Sequence, residues 1–186
     1  YTTLFRSDIG LRKRLVVIIV ILPVIILFSI LGGWPFTILI ALMLGMASWE
    51  LWRLFRIGGY LPSLPVMVFF VISAVILRYI FQFQFVSLWL MLLVFISMLW
   101  HVIAQQKGTK KAAADFAITI GGAAYLGCLG SYAISIRNMD NGLYWLLLTL
   151  PIISFADTGA YLIGRAFGKH KMLSVVSPKK SWEGYI

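Results

Sequence analysis

The chain has 186 residues, 61% of them hydrophobic and only 12% charged, with a mean hydropathy of +0.96. A water-soluble domain carries roughly 25% charged residues, so this composition excludes one and places the chain in a membrane. A formal net charge of +10 would point to nucleic acid on a soluble protein; here the cations sit in short loops, which favours anionic lipid headgroups and substrate phosphates as partners and argues against nucleic acid.

Arg12-Lys13-Arg14 precedes an apolar run longer than the roughly 7–15 residues of a signal-peptide core, with no small-residue cleavage site, so no cleaved leader is expected. Tyr1 is not a natural start, and the front of the chain reads as clipped. From Leu15 to Trp49 there is no charge, which is too long for one span of about 20 residues. Gly32-Gly33-Trp34-Pro35 divides the run, predicting helices over Leu15–Leu31 and Pro35–Phe55, with a kink at Pro23 and Trp34 at an interface. Arg53, Arg56 and Gly58-Gly59 close the second helix, and Glu50 either pairs with one of those arginines or lines a functional site, the pairing being favoured.

A third helix is predicted over Leu64–Phe81 and a fourth over Val86–Val102. The alternating Phe81-Gln82-Phe83-Gln84-Phe85 between them reads as an interfacial turn, because a lone strand cannot span a bilayer. His101 has no ligand-type residue near it in sequence and reads as interfacial. A polar loop, Gln105 to Lys111, leads through Ala112–Asp115 into a fifth helix over Phe116–Ile136. Gly121, Gly122, Gly127 and Gly130 in that helix suit close helix packing better than a nucleotide loop. Cys128, the single cysteine, has no disulfide or metal-ligand companion and reads as a packing residue. Arg137 to Gly142 forms a turn, and a sixth helix follows over Leu143–Ile163. The expected fold is all-α, one polytopic membrane bundle of about six helices without a separate soluble domain.

Charge fixes the orientation of that bundle. With the N-terminus inside, Arg6, Arg12, Lys13, Arg14, Arg53, Arg56, Lys107, Lys110, Lys111, Arg165, Lys169, Lys171, Lys179 and Lys180 all fall inside, leaving only Arg78 and Arg137 outside. Both ends of the chain are then expected to be cytoplasmic, facing the compartment that holds nucleotides.

The chemistry concentrates in the last stretch. Asp157 is a carboxylate within an apolar segment, an expensive placement that points to function. On a helix, Asp157, Tyr161, Gly164 and Gly168 share one face, which leads into Arg165, Lys169 and Lys171. That order suits an anionic ligand at a membrane surface with a cation near Asp157, although basic residues after a span also serve as topology signals and glycines as packing surfaces. Gly164 to His170 is not a P-loop, since its glycine spacing is one residue short and no Ser or Thr follows the lysine. Ser177-Pro178 is predicted to open a helix, with Ser177 as N-cap and exposed amides suited to an anion. Lys179 and Lys180 at that end oppose the helix dipole unless an anion is bound, and a triphosphate fits. Glu183 either reaches a metal through water or pairs with a lysine; its spacing favours the pairing. A phosphate contact by His170 has no support beyond its neighbouring lysines.

Asp157-Thr158-Gly159-Ala160-Tyr161, Gly164-Arg165, Phe167-Gly168-Lys169-His170-Lys171 and Ser177-Pro178-Lys179-Lys180-Ser181-Trp182-Glu183-Gly184 together resemble the phosphatidate cytidylyltransferase (CDP-diacylglycerol synthase) family, in order and in spacing. The likeness extends weakly, through hydropathy and Trp49-Glu50-Leu51, to most of the chain. It implies transfer from CTP to phosphatidic acid, giving CDP-diacylglycerol and pyrophosphate at a bacterial-type plasma membrane, with magnesium as cofactor. It also implies catalytic roles for Asp157, Lys179 and Lys180, and substrate binding by Ser177, Lys169, Lys171, Arg165, Tyr161 and Glu183. Asp157 would touch the metal. The family's longer signature, rich in Lys, Asp and Arg, lies downstream of a point corresponding to Ile186. The sequence therefore reads as truncated, with the principal metal carboxylates expected beyond it and this stretch alone inactive. A CTP-dependent lipid kinase of the dolichol or phytol type and a transporter with a midplane site at Asp157 stay open as alternatives, as does a homo-oligomer.

Overall fold

A computed structural model describes residues 22–82, 84–168, 170–173 and 177–185; the side chains at 150, 151, 153–155, 157, 158, 161, 165, 173 and 177–180 lie outside the description. The elements run α1 (Leu22–Leu31), α2 (Gly33–Ile57), α3 (Leu64–Phe81), α4 (Val86–Gln106), α5 (Ala112–Ala124), a π-helical turn (Tyr125–Leu129), α6 (Tyr132–Asn138) and α7 (Gly142–Phe167). A short β1 (Lys171–Leu173), β2 (Ser177–Ser181) and a 3₁₀ turn (Trp182–Gly184) follow. The all-helical membrane bundle is therefore present. Among the described residues, Gly33–Ile57, Leu64–Phe81, Val86–Gln106 and Ala112–Asn138 are long and apolar enough to cross a membrane. The part of the first expected helix before Leu22 lies outside the described residues.

The chain divides into two compact units, Tyr1–Gly142 and Leu143–Ile186. In the first, α3 is the central helix and touches α2, α4, α5 and α6. Val66, Phe70, Val71 and Ala74 of α3 meet Trp89 and Leu93 of α4 and Ala123 of α5 in one core. The rings of Phe70 and Trp89 stand edge to face at 5.7 Å, and the indole N–H of Trp89 donates to Ser73 Oγ (2.9 Å). On α4 the buried residues Trp89, Leu93, Ser97 and His101 recur every fourth position, a narrow seam on an otherwise apolar, exposed helix. Such a helix is stable only with lipid on its outer face.

The small residues of the fifth expected helix act as packing surfaces. A methyl group at Gly127 would stand 3.2 Å from Ala74 Cβ and 3.3 Å from the Trp89 ring, and one at Gly122 would stand 2.6 Å from Met67 Cε. The same region departs from a plain α-helix: the π turn interrupts it where Gly127 settles against α3 and α4. Gly127→Leu is expected to cost about 1–3 kcal/mol by overpacking. Gly121→Leu should cost much less, because a Cβ there meets nothing within 4 Å and the side chain starts in open space. Thermal unfolding of the two variants in detergent checks the contrast.

The two cations assigned to the outer side are both engaged by protein. Arg137 Nε donates to Ser29 O (2.6 Å) and Nη2 to Ile30 O (3.3 Å), placing a positive charge on the carbonyl end of α1. Arg78 is buried, donates to Ser131 Oγ (3.3 Å) and Cys128 O (3.4 Å), and lies over the Tyr132 ring. Cys128 packs beside the core, in keeping with its reading as a packing residue. Glu50 does not form the expected ion pair among the described residues; Arg53 and Arg56 instead lie over the rings of Trp49 and Trp52. Residues four apart on a helix face one another, and the indoles provide the better surface.

Candidate functional site

The second unit carries most of the residues singled out in the sequence. Asp157 lies within α7, whose last turns hold Tyr161, Gly164 and Arg165. Just past the helix, Gly168 N–H donates to Gly164 O (3.1 Å). The chain then reverses through β1 and β2, an antiparallel ribbon in which Lys171 is opposite Ser181 and Leu173 is opposite Ser177.

This ribbon corrects one expectation. Ser177 does not cap a helix: Ser177–Ser181 is a strand, and no row of free helical amides begins at Pro178. Proline at the second position of an edge ribbon is tolerated because its missing N–H need not enter the ladder. The register is irregular, since the five residues of β2 run opposite the three of β1. The surplus falls at Pro178-Lys179-Lys180, so these residues stand in a backbone bulge and not at a helix end.

The ribbon is seated by glycines. A methyl group at Gly164 would stand 3.1 Å from Ser181 Oγ, and one at Gly168 would stand 2.5 Å from it. At Gly184 it would meet Ala160 O at 2.5 Å. Gly164 and Gly168, expected as bare spots on a ligand-facing helix side, thus admit Ser181 and Gly184 of the same chain. Ser181 is buried, and its hydroxyl has no hydrogen-bond partner among the described residues.

Glu183 is a clasp. Its carboxylate accepts the backbone N–H of His170 at both oxygens (3.0 and 3.3 Å), and His170 Nδ1 lies 2.7 Å from Oε1. Trp182 N–H donates to His170 O (3.0 Å), closing the base of the ribbon. Among the described residues Glu183 is engaged by His170; the side chains of Lys169, Lys179 and Lys180, the lysines expected near it, lie outside the description. Lys171 is exposed beside this clasp. Lys169 lies outside the described residues, as do the side chains of Asp157, Tyr161, Arg165, Ser177, Lys179 and Lys180.

A second polar constellation, in the first unit, was not legible as a site. Asp115 is fully buried, and its Oδ1 accepts the N–H of Leu61 (2.7 Å). One turn on, Thr119 Oγ1 accepts the N–H of Ser63 (3.0 Å), approaches Asp115 O (2.7 Å) and lies 3.3 Å from His101 Nε2. His101 is buried near the end of α4, and its Nδ1 is 2.8 Å from Ser97 O. A carbonyl only accepts, so Nδ1 carries the proton. The signal available in sequence was the i, i+4 spacing of Asp115 with Thr119 and of Ser97 with His101; the partners 18 and 54 residues apart were not visible. This network ties the α2–α3 turn to the start of α5.

A family model described as the cytidylyltransferase family matches residues 12–186. The chain belongs to the cytidylyltransferase family. It is 30% identical over 182 residues to a phosphatidate cytidylyltransferase of Bacillus subtilis, covering 95% of this chain and 66% of the relative. It is 27% identical over 191 residues to one from Mycobacterium bovis, covering 97% of this chain and 62% of that relative. A 72-residue stretch is 39% identical to one from Staphylococcus haemolyticus. This cytidylyltransferase-family chain thus spans 58–66% of the length of the curated relatives that it matches along nearly its whole length. No solved structure matches it.

Proposed function

We propose that the protein containing this chain transfers a cytidylyl group from CTP to phosphatidic acid, giving CDP-diacylglycerol and pyrophosphate at the cytoplasmic face of a bacterial plasma membrane. The observation that carries the reading is the family match across residues 12–186, together with relatives named phosphatidate cytidylyltransferase. In this reaction a phosphate oxygen of phosphatidic acid attacks the α-phosphorus of CTP. A new P–O bond forms, the bond from the α-phosphorus to the bridging oxygen breaks, and pyrophosphate leaves with that electron pair. Both reactants are anions, so catalysis consists mainly of holding them in line and neutralising charge. No protein nucleophile is needed.

In this account Lys179 and Lys180, carried on the ribbon bulge, hold the triphosphate, and Ser177, Lys169, Lys171, Arg165 and Tyr161 surround the phosphates. Glu183 contributes indirectly by fixing His170 and the base of the ribbon. The family implies a divalent cation, magnesium in this reading. Among the described residues no three His, Cys, Asp or Glu side chains gather as a ligand set, and Glu183 is already engaged. Asp157, a hard carboxylate donor of the kind magnesium prefers, is the residue of α7 proposed to reach it. When bound, the metal would neutralise charge on the phosphates.

Lys179→Ala is expected to raise the KM for CTP about tenfold with a smaller change in kcat, as loss of a phosphate contact made in the ground state would. An unchanged CTP dependence would return Lys179 to a topology role. The reaction itself is tested by product balance in the purified protein. One pyrophosphate per lipid product supports cytidylyl transfer, whereas release of CDP would show a lipid kinase.

A further inference from the structure

The first unit has a groove whose lining holds none of the residues assigned to the reaction. It runs between α2 and α5, with a volume of about 440 Å³, and is lined by Leu51, Phe55, Ala117, Ile118, Gly121 and Tyr125, with Gly122 at its floor. The volume lies within the roughly 300–1,000 Å³ of small-molecule sites. Its lining carries no charged side chain. It stays open because Gly121 has nothing within 4 Å of where a side chain would start, whereas Gly122 is closed off by Met67 and Leu51. From Ala117 to Tyr125 it follows α5 for roughly 12 Å, at 1.5 Å per residue.

One end of this groove is cationic. Phe55 in its wall meets the ring of Tyr60 edge to face at 6.2 Å. The ammonium of Lys111 lies 4.7 Å from the centre of that same ring. Lys111 is also the residue at the N-cap of α5, preceded by Lys110. Cations at a helix N-terminus oppose its dipole unless an anion is present. Asp115 in the first turn answers only part of this, since it is buried and accepts Leu61 N–H. Among the described residues, none of Arg53, Arg56, Lys107, Lys110 and Lys111 forms an ion pair. An apolar groove along α5 that ends at Phe55, one ring away from the Lys111 ammonium, has the charge order of one lipid chain with a phosphate at its head.

We propose that this groove holds an acyl chain of an anionic phospholipid from the surrounding bilayer, with the lipid phosphate at Lys111. The site belongs to the first unit alone and does not depend on the reaction assigned above. Aromatic stacking positions the ammonium, and Asp115 and Thr119 hold the turn that carries Tyr60, so the headgroup end is preorganised by the buried network.

The test is native mass spectrometry of the detergent-purified protein, offered equal amounts of phosphatidylglycerol and phosphatidylcholine with identical acyl chains. The unmodified protein should retain one phosphatidylglycerol in clear preference. Lys111→Gln should reduce that preference about fivefold or more. Gly121→Leu, whose Cβ starts in open space and whose side chain extends into the groove, should reduce retention about tenfold. Gly45→Leu, on α2 and equally unobstructed, should change nothing. Thermal unfolding confirms that each variant is folded. Equal retention of both lipids by the unmodified protein, or unchanged retention by Gly121→Leu, overturns the proposal. So does a protein dimer that Gly121→Leu dissolves, which would make a second copy the occupant.

Discussion

Asp157→Asn is expected to lower cytidylyl transfer by about 10²-fold or more while leaving the protein folded, since removing one preorganised charge from such a centre typically costs that much. The substitution keeps the shape of the side chain and removes only its charge. If Asp157 served merely as a tolerated residue in α7, an amide there would be cheaper than a carboxylate in an apolar stretch, so stability would rise and turnover would hold. The functional reading predicts the opposite pairing, a stable protein with lost turnover. Measuring kcat and melting temperature on one preparation separates them. Unchanged turnover removes Asp157 from the proposed machinery.

The second large effect belongs to stability. Asp115→Ala should cost about 2–3 kcal/mol, because it removes a charge-assisted bond and leaves the buried N–H of Leu61 without an acceptor. Asp115→Asn should cost less, about 1–2 kcal/mol, since an amide oxygen can still accept that N–H while its NH2 is left buried at the unpartnered Oδ2 position. Unfolding in detergent with rising denaturant checks the difference. Equal losses in both variants would mean that the carboxylate charge, and not the bond to Leu61, is what the turn needs.

The local pattern was enough where one helix decides its own ends. Leu64–Phe81 was bounded as expected, because Ser63 and Pro65 start it and Gln82 ends it in a left-handed turn (φ 48°). The fifth helix was located but its interior was not. Nothing in the spacing of Gly127 and Gly130 says that contact with Trp89 and Leu44 will accompany a break in the α-helical ladder after Ala124. Ser177-Pro178 has the local chemistry of a helix start, and only the pairing with Lys171–Leu173 makes it a strand. Pairing of that kind is a tertiary choice that overrides propensity. His101 and Asp115 failed as sequence signals for a related reason, since their partners arrive from other helices. In contrast, the glycines of the second unit were noticed correctly as positions without side chains. What they face, Ser181 and Gly184, lies in the segment where strand pairing overrides the local helix-start signal.

The central claim is tested most directly by giving the purified protein phosphatidic acid and CTP labelled separately in the cytosine ring and at the γ-phosphate. Cytidylyl transfer predicts that the cytosine label moves to the lipid and the γ-label leaves as pyrophosphate. A lipid carrying the γ-label without cytosine would contradict the account and identify a kinase.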